Sequence, residues 1–184
     1  MIAERHQAYP LPLPDFPARP GLTERPAQEA GSLRLVKPSM FGNEYELRLA
    51  GRCVATLTVS GFFRPAGHGE GGGGCWAVEP LQRDSGKIVV RADKSLRDVG
   101  VFDMSLSDHA GILRTSEGHV LILNSDFWKG SAEFQSPTGE PLIRFRFHGL
   151  FRPSAEVEIL GEGKCLRELP WILMLGWCLI VGYL

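Results

Sequence analysis

The chain has 184 residues, a formal net charge of −1 and a pI near 6.5. That balance argues against a nucleic-acid-binding protein, which would carry a basic excess. The length suits one well-buried domain, and 22 glycines with 13 prolines favour many turns over many helices. Four cysteines (Cys53, Cys75, Cys165 and Cys178) are scattered without CxxC spacing, which speaks against a zinc ribbon or a thioredoxin-like motif. The N-terminus has no apolar run of signal-peptide length, so the expected compartment is reducing and cytoplasmic.

Residues 1–32 hold six prolines: Pro10, Pro12, Pro14, Pro17, Pro20 and Pro26. Proline at this density blocks helix and sheet ladders, and predicts a disordered Pro-rich N-terminal arm. The domain proper is expected over 33–184.

From residue 33 onward the pattern is that of strands. Tyr45, Leu47 and Leu49 alternate with Glu46 and Arg48. The turn Ala50-Gly51-Arg52 follows, and then Cys53, Ala55, Leu57 and Val59 alternate with Thr56 and Thr58. Period and turn chemistry together predict a hairpin. The same grammar returns at 112–123, around Ser116-Glu117-Gly118, and at 132–147, around Ser136-Pro137-Thr138-Gly139-Glu140. Further strands are expected at Leu33–Val36, Cys75–Val78, Lys87–Ala92, Gly100–Leu106 and Ala155–Leu160. Pro38 to Met40 and Ser95 to Asp98 read as single helical turns, and His68 to Cys75 as a floppy Gly-rich hairpin tip. About ten to twelve short strands at this spacing indicate a sandwich or barrel.

Along Ile143 to His148, Ile143, Phe145 and Phe147 point one way, and Arg144, Arg146 and His148 the other. An apolar sheet face needs a cover. The terminus supplies one: Leu169 to Leu184, LPWILMLGWCLIVGYL, carries no charge. Sixteen helical residues span about 24 Å, whereas a bilayer core of about 30 Å calls for roughly 20 apolar residues. The segment therefore suits the bore of a barrel better than a tail anchor. A tail-anchored membrane protein with a cytosolic β-domain is the alternative.

Many short antiparallel strands followed by one apolar C-terminal helix resemble the tubby-like superfamily, which includes the tubby C-terminal domain, the phospholipid scramblases and the LURP-one-related proteins. The resemblance lies in the hairpins Tyr45 to Phe63 and Ser131 to Ile159 and in the terminal segment Leu166 to Leu184, over about 33–184. It implies an all-β domain with one helix: a closed antiparallel barrel of about 12 strands around a buried C-terminal helix at 166–184. It is a pattern of elements rather than of fixed residues, so no phosphoinositide-site residues carry over. The cysteine-rich stretch and acidic calcium segment of scramblases have no counterpart here.

Motifs for chemistry are sparse. The five histidines form no HxxxH or HExxH pair, and no metal site or cofactor is expected. The Gly-rich stretch lacks the lysine and following helix of a phosphate loop. Ser107-Asp108-His109 places triad residue types side by side, where they cannot adopt triad geometry, and no GxSxG elbow exists. An enzyme would need a site assembled from distant residues. Trp76 and Trp128 are expected to pack in the core or at barrel ends. Two basic groups remain. One is Arg144, Arg146, His148 and Arg152. The other includes Lys87, Arg91 and Lys94 among Asp84, Asp93 and Asp98. Either could meet an anionic lipid head group. The expected function is thus a non-catalytic binding or scaffold module, with anionic phospholipid or a protein as partner.

Overall fold

The structure, a computed structural model, describes residues 32–39, 41–60, 66–81, 86–92, 97–105, 110–149 and 152–183. The Pro-rich segment, Ser107-Asp108-His109 and Lys94 lie outside the described residues.

Twelve antiparallel strands form a closed barrel in which each strand pairs with its neighbour in sequence. They are β1 (Leu33–Val36), β2 (Glu44–Leu49), β3 (Arg52–Ser60), β4 (Ala66–Gly71), β5 (Gly74–Pro80), β6 (Lys87–Ala92), β7 (Arg97–Ser105), β8 (Ala110–Thr115), β9 (Val120–Asp126), β10 (Ser131–Gln135), β11 (Pro141–His148) and β12 (Ser154–Ile159). The circle closes where β1 pairs with β12, with Leu33 opposite Val157 and Leu35 opposite Ala155. Closure leaves no unpaired edge. Among the described residues a single α-helix, α1 (Leu169–Tyr183), follows a 3₁₀ turn at Gly161–Cys165.

Turn chemistry sets the hairpins. Ala50 and Gly51 both have positive φ (50° and 78°), as do Gly72 and Gly73 (58° and 78°). Two such residues in a row make the type I′ turn whose twist matches paired strands.

The helix runs through the bore. Every residue from Trp171 to Ile180 is buried. Inward-facing side chains surround them: Tyr45, Leu57, Val78, Val90, Phe102, Leu113, Leu121, Phe134, Phe145 and Val157, one or more from each of β2, β3 and β5–β12. A helix that is apolar all round needs burial on all sides, and a closed barrel provides it. Tyr45 meets Trp177 edge to face, with ring centroids 5.5 Å apart. Among the described residues no helix is long and apolar enough to cross a membrane. The apolar terminus of 15 helical residues is the core of the barrel.

Glycines make room for this rod. A Cβ on Gly69 would overlap Met174 Cε, one on Gly67 would lie 2.8 Å from Cys178 Sγ, and one on Gly100 would lie 2.6 Å from the Trp171 ring. The stretch expected to be a floppy tip is therefore strand β4 and the start of β5, turning only at Gly72-Gly73. Its alternate glycines, Gly67 and Gly69, let the helix pass. The helical turn expected at Ser95 to Asp98 is also corrected at its described residues. Arg97 and Asp98 begin β7, opposite Ala92 and Arg91. The Arg91–Asp98 ion pair of 2.8 Å joins the two strands there.

Because neighbouring strands are antiparallel, their connections alternate between the two ends of the barrel. The helix begins at the near end, beside the β8–β9 turn and the start of β11. It finishes at the far end, which carries the β1–β2, β9–β10 and β11–β12 connections.

Candidate functional site

The bore holds little besides protein. A cavity of about 10 Å³ lies between Phe102, Met104, Leu123, Ala132, Leu179 and Ile180. That is room for about one water, in an apolar setting. A barrel of this size could hold a small ligand, but here its own helix takes the space. No group of three or more potential metal ligands occurs among the described residues.

The outer wall carries most of the cations expected to bind anions, and there they are matched by carboxylates. Register explains the matching. On β11, Arg144 sits between Glu133 of β10 and Glu158 of β12, and Arg146 sits opposite Glu156. Arg144 reaches Glu133 at 2.6 Å and Glu158 at 3.3 Å, and Arg146 reaches Glu158 at 3.1 Å. The hydrogen bond to Glu133 and its charge hold the Arg144 guanidinium above its ordinary pKa. Arg91 is held likewise, first by its hydrogen bond to Asp98, with Glu79 at 2.7 Å on its other side. Lys87 lies 3.9 Å from Asp103. These wall pairs are cross-strand partners of the ordinary kind. The two basic groups also do not share a face, because β6 and β11 are five strands apart around the circle of twelve.

The far end differs. Arg152, just before β12, donates from Nε to the Lys37 carbonyl at 3.1 Å and from a terminal nitrogen to the Pro38 carbonyl at 3.4 Å. It thereby ties the β11–β12 connection to the β1–β2 connection. At the end of β11, Phe147 N donates to Gly130 O at 2.7 Å, and the Phe147 and Phe127 rings lie 5.6 Å apart. This ties the β9–β10 turn to the same rim. One arc of the far end thus runs from Trp128 and Lys129 past His148 and Arg152 to Lys37 and Phe41. Its described connections carry the cations Lys37, Lys129 and Arg152 and no carboxylate; Glu44 and Asp126 stand at the adjoining strand ends. Lys129 pairs with Asp126 at 2.8 Å and remains largely exposed.

Two large aromatics stand out from this arc, Phe41 at 96% exposure and Trp128 at 101%. The expectation that Trp128 packs is therefore corrected. It sits at a barrel end but points into solvent, because the 3₁₀ turn Phe127–Lys129 turns Phe127 onto the core and its neighbour away from it. Single exposed hydrophobics are ordinary on a surface, but these two rings are the largest apolar side chains left in water among the described residues, and both stand at one barrel end. Trp76 is half-buried, as a core-edge residue should be.

A third cluster, at the near end, had no signal in sequence. Glu168, the residue before α1, is 5% exposed. Its Oε1 accepts from Thr115 Oγ1 at 2.9 Å and lies 2.8 Å from His119 Nδ1. An ionised carboxylate has no proton, so His119 Nδ1 carries it. Burial pushes the Glu168 pKa up, but the hydrogen bonds from His119, its own backbone and Thr115 outweigh this and hold it below the ordinary range. The Thr115 hydroxyl donates to the carboxylate and accepts from His119 N at 3.1 Å. No nucleophile–base bond exists between threonine and imidazole, so the cluster has the form of a latch: it fastens the start of the helix to the β8–β9 turn.

These features define a closed twelve-stranded barrel plugged by its own C-terminal helix, with a polar latch at one end and, among the described residues, an arc of exposed aromatic and basic side chains at the other. No protein-family model matches the chain, and comparison with curated proteins and with solved structures found no significant match.

Proposed function

We propose that the protein is a non-catalytic binding module that sits peripherally on membranes containing anionic phospholipid, presenting the far end of the barrel. We also propose a distant kinship with the tubby-like superfamily, supported by the antiparallel barrel of twelve strands with its terminal helix in the bore. The filled interior directs binding to the outside. The observation that carries the lipid reading is the cation-bearing arc: among the described residues Lys37, Lys129 and Arg152 stand at one end with Asp126 on Lys129 as their one carboxylate partner, Lys37 over the Tyr45 ring and Arg152 on backbone carbonyls, while the wall arginines Arg91, Arg144 and Arg146 are each matched by carboxylates. Each rim cation near an anionic surface adds about 1 kcal/mol. Vesicle co-sedimentation tests this. The protein should pellet with phosphatidylserine-containing vesicles at low salt, less at high salt, and little with phosphatidylcholine alone. Lys37→Ala/Lys129→Ala should weaken pelleting, and Arg144→Ala should not. Equal pelleting on neutral and anionic vesicles would remove the proposal.

A further inference from the structure

We infer that Phe41 and Trp128 are interfacial anchors, which seat in the head-group region of the bilayer and stand the barrel end-on to the membrane. The inference rests on the proposed lipid function and goes beyond it, because charge alone needs no aromatic contact. Both rings are almost fully exposed, at 96% and 101%. Both belong to connections at the same barrel end, and those connections are joined through the β11–β12 segment by the hydrogen bonds of Arg152 and Phe147. Lys129 follows Trp128 directly, and the chain from Lys37 leads to Phe41. An aromatic ring beside a long cation is the combination that suits a bilayer interface: the ring replaces water at the acyl boundary while the ammonium stays among phosphates. The near end lacks such rings: its described connections carry Glu117, Glu140 and Glu162 together with Lys164 and Arg167, and none of the exposed large hydrophobic residues lies in them.

A second copy of the chain is the competing occupant of this rim. The rim's cations favour lipid, since two copies meeting rim to rim would bring Lys37, Lys129 and Arg152 toward their own duplicates.

Tryptophan emission of the full chain, with and without phosphatidylserine vesicles, tests the anchors. Trp171 and Trp177 are buried in the bore and serve as an internal constant. The expected result is a blue shift on anionic vesicles and quenching by brominated acyl chains, both lost in Trp128→Phe. Phe41→Ala/Trp128→Ala should weaken partitioning at high salt about a hundredfold, the scale of removing two buried aromatic contacts at about tenfold each. Circular dichroism should show the fold unchanged, since neither ring touches the core. Binding to anionic vesicles with unshifted emission and an undiminished double variant would overturn the anchors and leave the charge-based proposal standing. Absence of binding by the unaltered protein would overturn both. Lipid-free self-association that disappears in Trp128→Ala would overturn the anchors in favour of a contact between copies.

Discussion

Deletion of residues 169–184 should abolish the fold, not merely weaken it. Eight large apolar side chains of α1 (Trp171, Ile172, Leu173, Met174, Leu175, Trp177, Leu179 and Ile180) are at most 4% exposed. Burial of each contributes about 1.5–3 kcal/mol, which gives on the order of 10–25 kcal/mol for the helix, an upper range because unfolded chains already bury some surface. Whole domains are stable by only about 5–15 kcal/mol. The strands would also keep inward faces such as Phe102, Phe134 and Phe145, each 0% exposed in the intact protein, with nothing to cover them. Size-exclusion chromatography and urea unfolding of the truncated chain are the assay. Aggregation, or loss of a cooperative transition, is expected. The milder Leu175→Ala keeps the helix and should cost about 2–5 kcal/mol with the transition intact. A truncated chain that elutes as a monomer and unfolds cooperatively would refute the reasoning, since it would show that the barrel holds without its plug.

Three further outcomes follow from particular contacts. In His119→Ala the largest hydrogen bond holding the Glu168 carboxyl down is lost while its burial remains, so its pKa rises. A depressed carboxylate stabilises fully above its unfolded value and loses that contribution as pH falls through its folded one. The variant should therefore be destabilised by about 1–3 kcal/mol at pH 7, and by less at pH 4, where protonation relieves the carboxylate; urea midpoints at the two pH values check this. Gly69→Ala should destabilise by about 1–3 kcal/mol, because its methyl group would overlap Met174 Cε, and by clearly less in a Met174→Ala background, as a double-mutant cycle would read. All four cysteines are free, and burial pushes the Cys178 thiol up to about 12. A thiol reagent at pH 8 should label exposed Cys165 promptly and Cys178 only on unfolding.

Period-two alternation was enough to read β2, β3, β10, β11 and β12 from the residues, because a strand with one wet face writes its orientation in every second position, and β8 and β9 were legible as short apolar runs flanking the turn Ser116-Glu117-Gly118. The uncharged terminus of Leu169 to Leu184 likewise announced a helix needing burial on all sides, and its shortness pointed away from a bilayer. β4 was illegible because glycine carries no side chain to alternate. In retrospect, Gly67, Gly69 and Gly71 at every second position were the signal. The basic stripe Arg144, Arg146 and His148 was legible, but its neutralisation was not: Glu133 and Glu158 face Arg144 only once β10 and β12 lie on either side of β11. The latch is the plainest case. Thr115 and Glu168 are 53 residues apart, and neither has a local pattern to mark it.

The sequence by itself determined that this chain is a run of short strands ending in a rod with no polar side, since hydrophobic period and charge are properties of neighbouring residues. Only the tertiary structure decided which cations are matched by carboxylates, which aromatics remain in water, and where the helix is fastened. Those depend on strand register and on the alternation of connections between two barrel ends, which bring together residues that the chain itself keeps far apart.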